Sequence, residues 1–169
     1  MLPMRRAVLA AGIALPLQAL AQACRITPRQ TEGPFFTPGT PERRGLAASP
    51  TLALSGRVLD KACRPVPHAL LDFWHADEAG EYDNSGFRFR GHQFTDAEGR
   101  YRLETILPGS YPGRTRHIHV KVQAHGGPVL TTQLYFPGEP RNARDGLFRS
   151  ELLVSAEKPG LARFDFVAL

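Results

Sequence analysis

The stretch RTRHIHVKV, Arg114 to Val122, sets two histidines one residue apart, directly after a tyrosine in the turn-rich segment LPGSYPG. On a strand, residues i and i+2 point to the same face, so His117 and His119 share one side while Ile118 and Val120 turn to the other, toward a core. Two imidazoles so placed are either solvated or core-satisfied histidines, or two ligands of one metal ion. Tyr111 lies six residues before His117, between Pro108-Gly109 and Pro112-Gly113, which stiffen the backbone around it. Tyr82, in WHADEAGEYD, also falls in a loop, whereas Tyr101 and Tyr135 sit in alternating strand patterns and read as packing residues. A free tyrosine has a pKa of about 10, so phenolates at neutral pH need a strong Lewis acid beside them. Two phenols with two imidazoles suit a hard, highly charged ion, with ferric iron the obvious one. Two phenolates favour Fe(III) over Fe(II). Such an iron is slow to bind O2 itself, but it can take a doubly deprotonated catechol and make its ring reactive toward O2.

The elements that must position these groups are short strands. LALSGRVLD (52–60), HALLDFWHA (68–76), FRFRGHQFT (87–95), YRLETIL (101–107), RHIHVKVQA (116–124), LTTQLYF (130–136) and ARFDFVAL (162–169) alternate or are rich in β-branched and aromatic residues. Turn signals such as KACRPVP and DAEG separate them, and the 16 Gly and 15 Pro are scattered singly. The pattern predicts an all-β fold: an antiparallel β-sandwich of about seven to eight strands with long loops. Residues 24–50, rich in Pro, Gly, Thr and Arg, read as an extended arm, and 51–169 as the sandwich domain. Segment 138–150 reads as loop with room for one helical turn.

The first 23 residues have the form of an export signal: a basic start at Arg5 and Arg6, an apolar stretch, and small residues up to Ala23. Pro16 and Gln18 interrupt that stretch, which falls short of the roughly 20 apolar residues of a membrane span. The arginine pair before Val8-Leu9 leaves both the twin-arginine route and ordinary secretion open, with a periplasmic or secreted product. The 21 Lys and Arg, two of them in the leader, stand against 16 Asp and Glu, leaving a net charge of +3 for the remainder. No Lys/Arg stripe occurs, so nucleic acid is not an expected partner and a small anion fits better. Cys24 and Cys63 can pair in an oxidising compartment, or Cys24 can carry a lipid as the first mature residue.

Taken together, TEGPFF (31–36), LDFWHADEAGEYD (71–83), FRGHQFTDAEGRYRLETILPGSYPGRTRHIHVKV (89–122) and TTQLYFPGEP (131–140) make the chain resemble the intradiol ring-cleavage dioxygenases, of the protocatechuate 3,4-dioxygenase β-chain type. The resemblance implies a β-sandwich holding non-haem Fe(III) through Tyr82, Tyr111, His117 and His119, with a hydroxide as fifth ligand. It implies that Tyr111 leaves the iron when the catecholate binds, that Arg114 is the active-site arginine stabilising anionic intermediates, and that Gln133 lines the substrate pocket. Substrates would be a small aromatic diol and O2, opened to a cis,cis-muconate-type diacid, in a chain that can also form a homo-oligomer. The chain departs from the type in two ways. Gly113 stands where protocatechuate enzymes usually have tryptophan, and the long helical dimerisation region of catechol 1,2-dioxygenases is absent from this sequence.

Two other readings remain. His-x-His also serves zinc hydrolases, with His92 or His75 as the third ligand here. The run SGRVLDKACRPVPHALLDFW with TDAEGRYRLETILPGSY also resembles prealbumin-like modules, which would make this an exported, non-catalytic binding domain. Outside the zinc reading, His68, His75, His92 and His125 are expected to be structural or at the surface. Trp74 is expected in the core, and Glu32 and Phe35 at a pocket mouth.

Overall fold

A computed structural model describes residues 24–168 of the chain; the expected leader, 1–23, lies outside them. Nine strands are present among these residues: β1 Leu52–Leu59, β2 Leu70–Trp74, β3 Arg90–Phe94, β4 Arg100–Thr105, β5 His117–Gln123, β6 Leu130–Tyr135, β7 Ser155–Lys158, β8 Leu161–Arg163 and β9 Phe166–Val167. One sheet runs β4-β1-β8-β7, with β9 also on β1; the other runs β3-β2-β5-β6. Alternation decides which side chains meet between them. Leu54 and Val58 of β1 and Tyr101 and Leu103 of β4 face Leu71 and Phe73 of β2 and Ile118, Val120 and Val122 of β5 in one buried cluster. Removing each such side chain from water contributes about 1.5–3 kcal/mol.

The expected sandwich is there, with two differences. The ladders are not purely antiparallel, because β8 and β9 both run parallel to β1. Nor is 162–169 one strand. At Gly56 the chain passes so close that a Cβ there would lie 1.8 Å from the Phe164 carbonyl oxygen. The Arg57 amide meanwhile donates to the Asp165 carboxylate at 2.8 Å, so the ladder is interrupted and resumes as β9. The strand β7 has no apolar alternation in SAEK to announce it. Segment 138–150 contains a 3-10 helix, Pro140–Arg144, as expected.

Residues 24–50 form no helix or strand and cross the outer face of the second sheet strand by strand. The Gln30 amide donates to Thr131 at the β6 edge, Gly33 lies against His119 of β5, and Phe36 meets Trp74 of β2 edge-on at 4.9 Å. The Arg43 amide then reaches the His92 carbonyl of β3 at 2.8 Å. A disulfide, Cys24–Cys63, ties down the start of this arm. The sheet is thus buried on both faces, and the outer one carries Arg90, Asp72, Trp74, His119, His117 and Gln133. Among the described residues no helix is long and apolar enough to cross a membrane.

The close approach at Gly56 sets a test. Gly56→Ala should lower stability by about 1–3 kcal/mol through forced separation of β1 from the Phe164 carbonyl. Gly45→Ala, with nothing within 4 Å of its added methyl, should change it by less than about 0.5 kcal/mol. Urea midpoints of the two variants measure the contrast, and equal midpoints would contradict the steric account.

Candidate metal centre

The alternation of β5 puts His117 and His119 on the face away from the core, each about 2% exposed, with their Nε2 atoms 3.1 Å apart. The Nδ1 of His117 lies 2.7 Å from the Thr115 carbonyl; a proton donated there leaves the lone pair on Nε2. His119 is held differently. Its Nδ1 has no hydrogen-bond partner, and its ring lies flat on Trp74, centroids 4.7 Å apart and planes 8° from parallel. Trp74, expected in the core, is buried but on the site face. Burial first, and the Arg114 cation next, take the His117 imidazole down to about 4. Burial, then His117, holds His119 well below its ordinary value. Both rings are therefore neutral near pH 7 and able to donate lone pairs.

The tyrosines come from two loops that touch through glycines. After β2, the Asp77 carboxylate accepts the Ala79 and Glu81 amides and closes the turn before Tyr82. The Gly109 amide donates to the Asp77 carbonyl at 2.7 Å. A Cβ on Gly109 would fall 2.3 Å from the Glu78 carbonyl, and one on Gly80 2.7 Å from that of Ser110. Only glycines allow this approach, which brings Tyr111 within 6.0 Å of Tyr82, ring to ring and edge-on. Tyr82 Oη lies 3.4 Å from His117 Nε2, and the Tyr111 and His117 ring centroids are 5.8 Å apart. Phe35 of the arm stacks on Tyr82 at 4.3 Å. Burial, then the Tyr111 hydroxyl, pushes the Tyr82 phenol far up, while the Arg114 and Arg90 cations pull it partly back. Only a strong cation beside it would ionise it near neutrality.

Arg114 stands at the rim of this cluster. Its Nε donates to both Asp145 oxygens, 3.0 and 3.2 Å away, one Nη to the Gln133 amide oxygen, and the other Nη lies 3.5 Å from Tyr111 Oη. Gln133 is fully buried; its Nε2 donates to the Thr31 carbonyl, and its Oε1 also accepts the Tyr135 hydroxyl at 3.0 Å. All six expected site residues, Tyr82, Tyr111, Arg114, His117, His119 and Gln133, thus fall in one neighbourhood. Asp145, Trp74 and Arg90 were missed as parts of it. The Asp-Gly turn at 145–146 advertises a turn, not a carboxylate reaching back 31 residues to Arg114.

The remaining histidines are engaged elsewhere. His75 bonds the Thr105 hydroxyl and the Ala76 carbonyl, each at 2.7 Å, and His92 bonds the Thr40 carbonyl at 2.8 Å. His68 and His125 are exposed. Among the described residues no three His, Cys, Asp or Glu side chains converge as a metal site, so the zinc reading lacks its third ligand. Phe35 lines the site as expected, while Glu32 pairs with Lys121.

The family model described as "Dioxygenase" matches residues 31–167. The protocatechuate 3,4-dioxygenase β chain of Burkholderia cepacia is 39% identical over 116 residues, covering 58% of this chain and 49% of that protein. A catechol 1,2-dioxygenase of Acinetobacter baylyi is 33% identical over 165 residues, covering 77% and 53%. The chain therefore spans about half the length of these curated relatives. Among solved structures, the dioxygenase domain of a dioxygenase carbohydrate-binding protein fusion from Streptomyces sp. SirexAA-E is 58% identical. That match has a TM-score of 0.80 and covers 85% of this chain and 97% of that one. Hydroxyquinol 1,2-dioxygenase from Pseudomonas putida DLL-E4 is 26% identical with a TM-score of 0.72, covering 89% and 68%.

The buried imidazoles make acid sensitivity predictable. Burial also takes His75 down to about 4, as it does His117. Unfolded, both titrate near 6.5, so between these values the unfolded chain binds more protons. Metal-free protein should lose stability as pH falls from about 6.5 to about 4, on the order of 3 kcal/mol per histidine. Denaturant midpoints measured across that range check this; a flat profile would refute the neutral-imidazole assignment.

Proposed function

The chain belongs to the intradiol ring-cleaving dioxygenases, and from that premise we propose that it binds ferric iron through Tyr82, Tyr111, His117 and His119 and cleaves a catechol-type diol. O2 adds, the ring opens between the two hydroxylated carbons, and both oxygen atoms end in a cis,cis-muconate-type diacid. The observation that carries this reading is the pair of Nε2 atoms 3.1 Å apart, with the oxygen of a half-buried phenol 3.4 Å from one of them. Two neutral nitrogens and two phenol oxygens form a donor set that fits a hard trivalent ion. Ferric iron, when bound, would supply the Lewis acidity that ionises these phenols and draws electron density from a bound catecholate.

The chain's own residues divide the remaining work. Both tyrosines are half-buried, but Tyr82 is stacked on by Phe35, whereas no ring stacks face to face on Tyr111 among the described residues. Tyr111 is thus the phenol free to swing aside as the diol docks, its Oη accepting one of the diol's protons. The Arg114 guanidinium, fixed at Nε by Asp145, keeps its positive charge beside Tyr111 Oη, where negative charge grows on the substrate oxygen. A hollow of about 200 Å³ lined by Gly113, Arg114, Arg141, Arg144 and Asp145 opens from that side. Arg114 neutralises Asp145, while Arg141 and Arg144 have no acidic partner among the described residues. These two cations favour a catechol that carries a carboxylate, such as protocatechuate, over an unsubstituted one. The disulfide at Cys24 supports export into an oxidising compartment, with residues 1–23 as leader, and leaves that sulfur no thiol to carry a lipid.

Iron-loaded protein should be red-brown from tyrosinate-to-iron charge transfer. Tyr82→Phe and His119→Ala should lose most of that colour and oxygen uptake while staying folded; full colour and activity in both would refute the ligand assignment. Arg114→Ala should keep the iron but slow turnover by about 10²–10³-fold. Arg144→Ala should raise KM for a carboxylated catechol and leave unsubstituted catechol unchanged.

A further inference from the structure

Arg90, at the end of β3 opposite Trp74, is 1% exposed, and no acidic side chain lies within ion-pair distance of it among the described residues. Its guanidinium spends its donors on main-chain carbonyls. Nη1 donates to Phe35 at 2.6 Å; Nη2 and Nε both donate to Asp83, at 2.7 and 3.1 Å. The Asp83 carboxylate is turned away, accepting the Ser85, Gly86 and Arg88 amides of its own loop. These two carbonyls belong to the residue stacked on Tyr82 and to the residue that follows Tyr82 in sequence. A single fork therefore grips both halves of the Phe35–Tyr82 stack, one from the arm and one from the loop after β2. The arm returns the contact: Arg43 donates through Nε to the Arg90 carbonyl at 2.9 Å. The acids whose charge reaches it, Asp83 and Asp72, make no direct ion pair with it, and a buried cation so placed is costly when its only task is to fill space. It is well suited to two tasks at once, holding carbonyls that a hydrocarbon could not hold and placing positive charge behind a phenolate.

We propose that Arg90 is a positioning residue for Tyr82: its planar fork locks the Phe35–Tyr82 stack in register with the histidine pair, and its charge would stabilise a Tyr82 phenolate. The inference rests on Tyr82 being an iron ligand only for its second half; the clamp itself exists in the metal-free chain. Two sets of measurements separate the parts. In metal-free protein, Arg90→Gln should speed amide hydrogen exchange in segments 33–37 and 81–86 by tenfold or more, with the exchange of β5 and β6 unchanged. Unaltered exchange in both segments would overturn the clamp. In iron-loaded protein, Arg90→Gln should hold iron about 10–100-fold more weakly against a chelator, as loss of an outer partner of a metal ligand does. Its charge-transfer band should move to longer wavelength, because the phenolate electrons lose a neighbouring cation. Arg90→Lys, which restores the charge but not the fork, should return the band toward its wild-type position and leave iron retention low. A band and an iron retention equal to wild type in Arg90→Gln would overturn the second half. Should Arg90→Gln not fold, Arg90→Lys decides alone: wild-type exchange in 33–37 and 81–86 would refute the need for a fork, and faster exchange there supports it. A wild-type protein that takes up no iron with a phenolate band would sink the iron reading and leave the exchange result standing.

Discussion

A buried polar face has to have its hydrogen bonds supplied, or the fold does not form. The second sheet of this sandwich has such a face: Arg90, Asp72, His119, His117 and Gln133 all point away from the apolar core and are all shut off from water. The arm is what makes that affordable in free energy. It crosses the sheet nearly one strand at a time, offering Thr40 to Asp72 and His92, the Thr31 carbonyl to Gln133 and the Phe35 carbonyl to Arg90. A catalytic reading of the face depends on this cover, because imidazoles open to water would be protonated more readily and phenols open to water would be less selective for a strong Lewis acid.

Within that cover, precision comes from short-range contacts rather than from bulk packing. Two loops that carry one tyrosine each meet at Gly80 and Gly109, where no side chain fits. One histidine is aimed by a carbonyl and the other by an indole ring. The difference has a chemical consequence. A hydrogen bond to Nδ1 makes His117 a richer donor and fixes its tautomer, whereas stacking fixes only the plane of His119.

Charge is arranged around the phenols with the same economy. Two cations, Arg114 and Arg90, act on the Tyr82 phenol, and only the first is held in a direct ion pair among the described residues. Arg114 is thereby held in place yet stays partly accessible, which suits the substrate-facing role proposed for it. Arg90 is sealed in.

Much of this was legible in the residues themselves. The period-2 pattern of RHIHVKVQA placed the histidines together and away from the core, since strand geometry alternates faces whatever the fold. Except for β7 and the split between β8 and β9, the strands of both sheets and the extended arm were readable for the same local reason, and the order of Tyr82, Tyr111 and the histidine pair pointed to the dioxygenase family. What the sequence did not contain was anything that acts at a distance. The break of the last strand at Gly56, the reach of Asp145 to Arg114, the stacking of Trp74 on His119 and the grip of Arg90 on two carbonyls each join segments tens of residues apart. Local propensity has no term for such pairs. They are decided only when the sheets, the arm and the loops close on one another, because it is then that backbone groups and side chains compete for the same few buried partners.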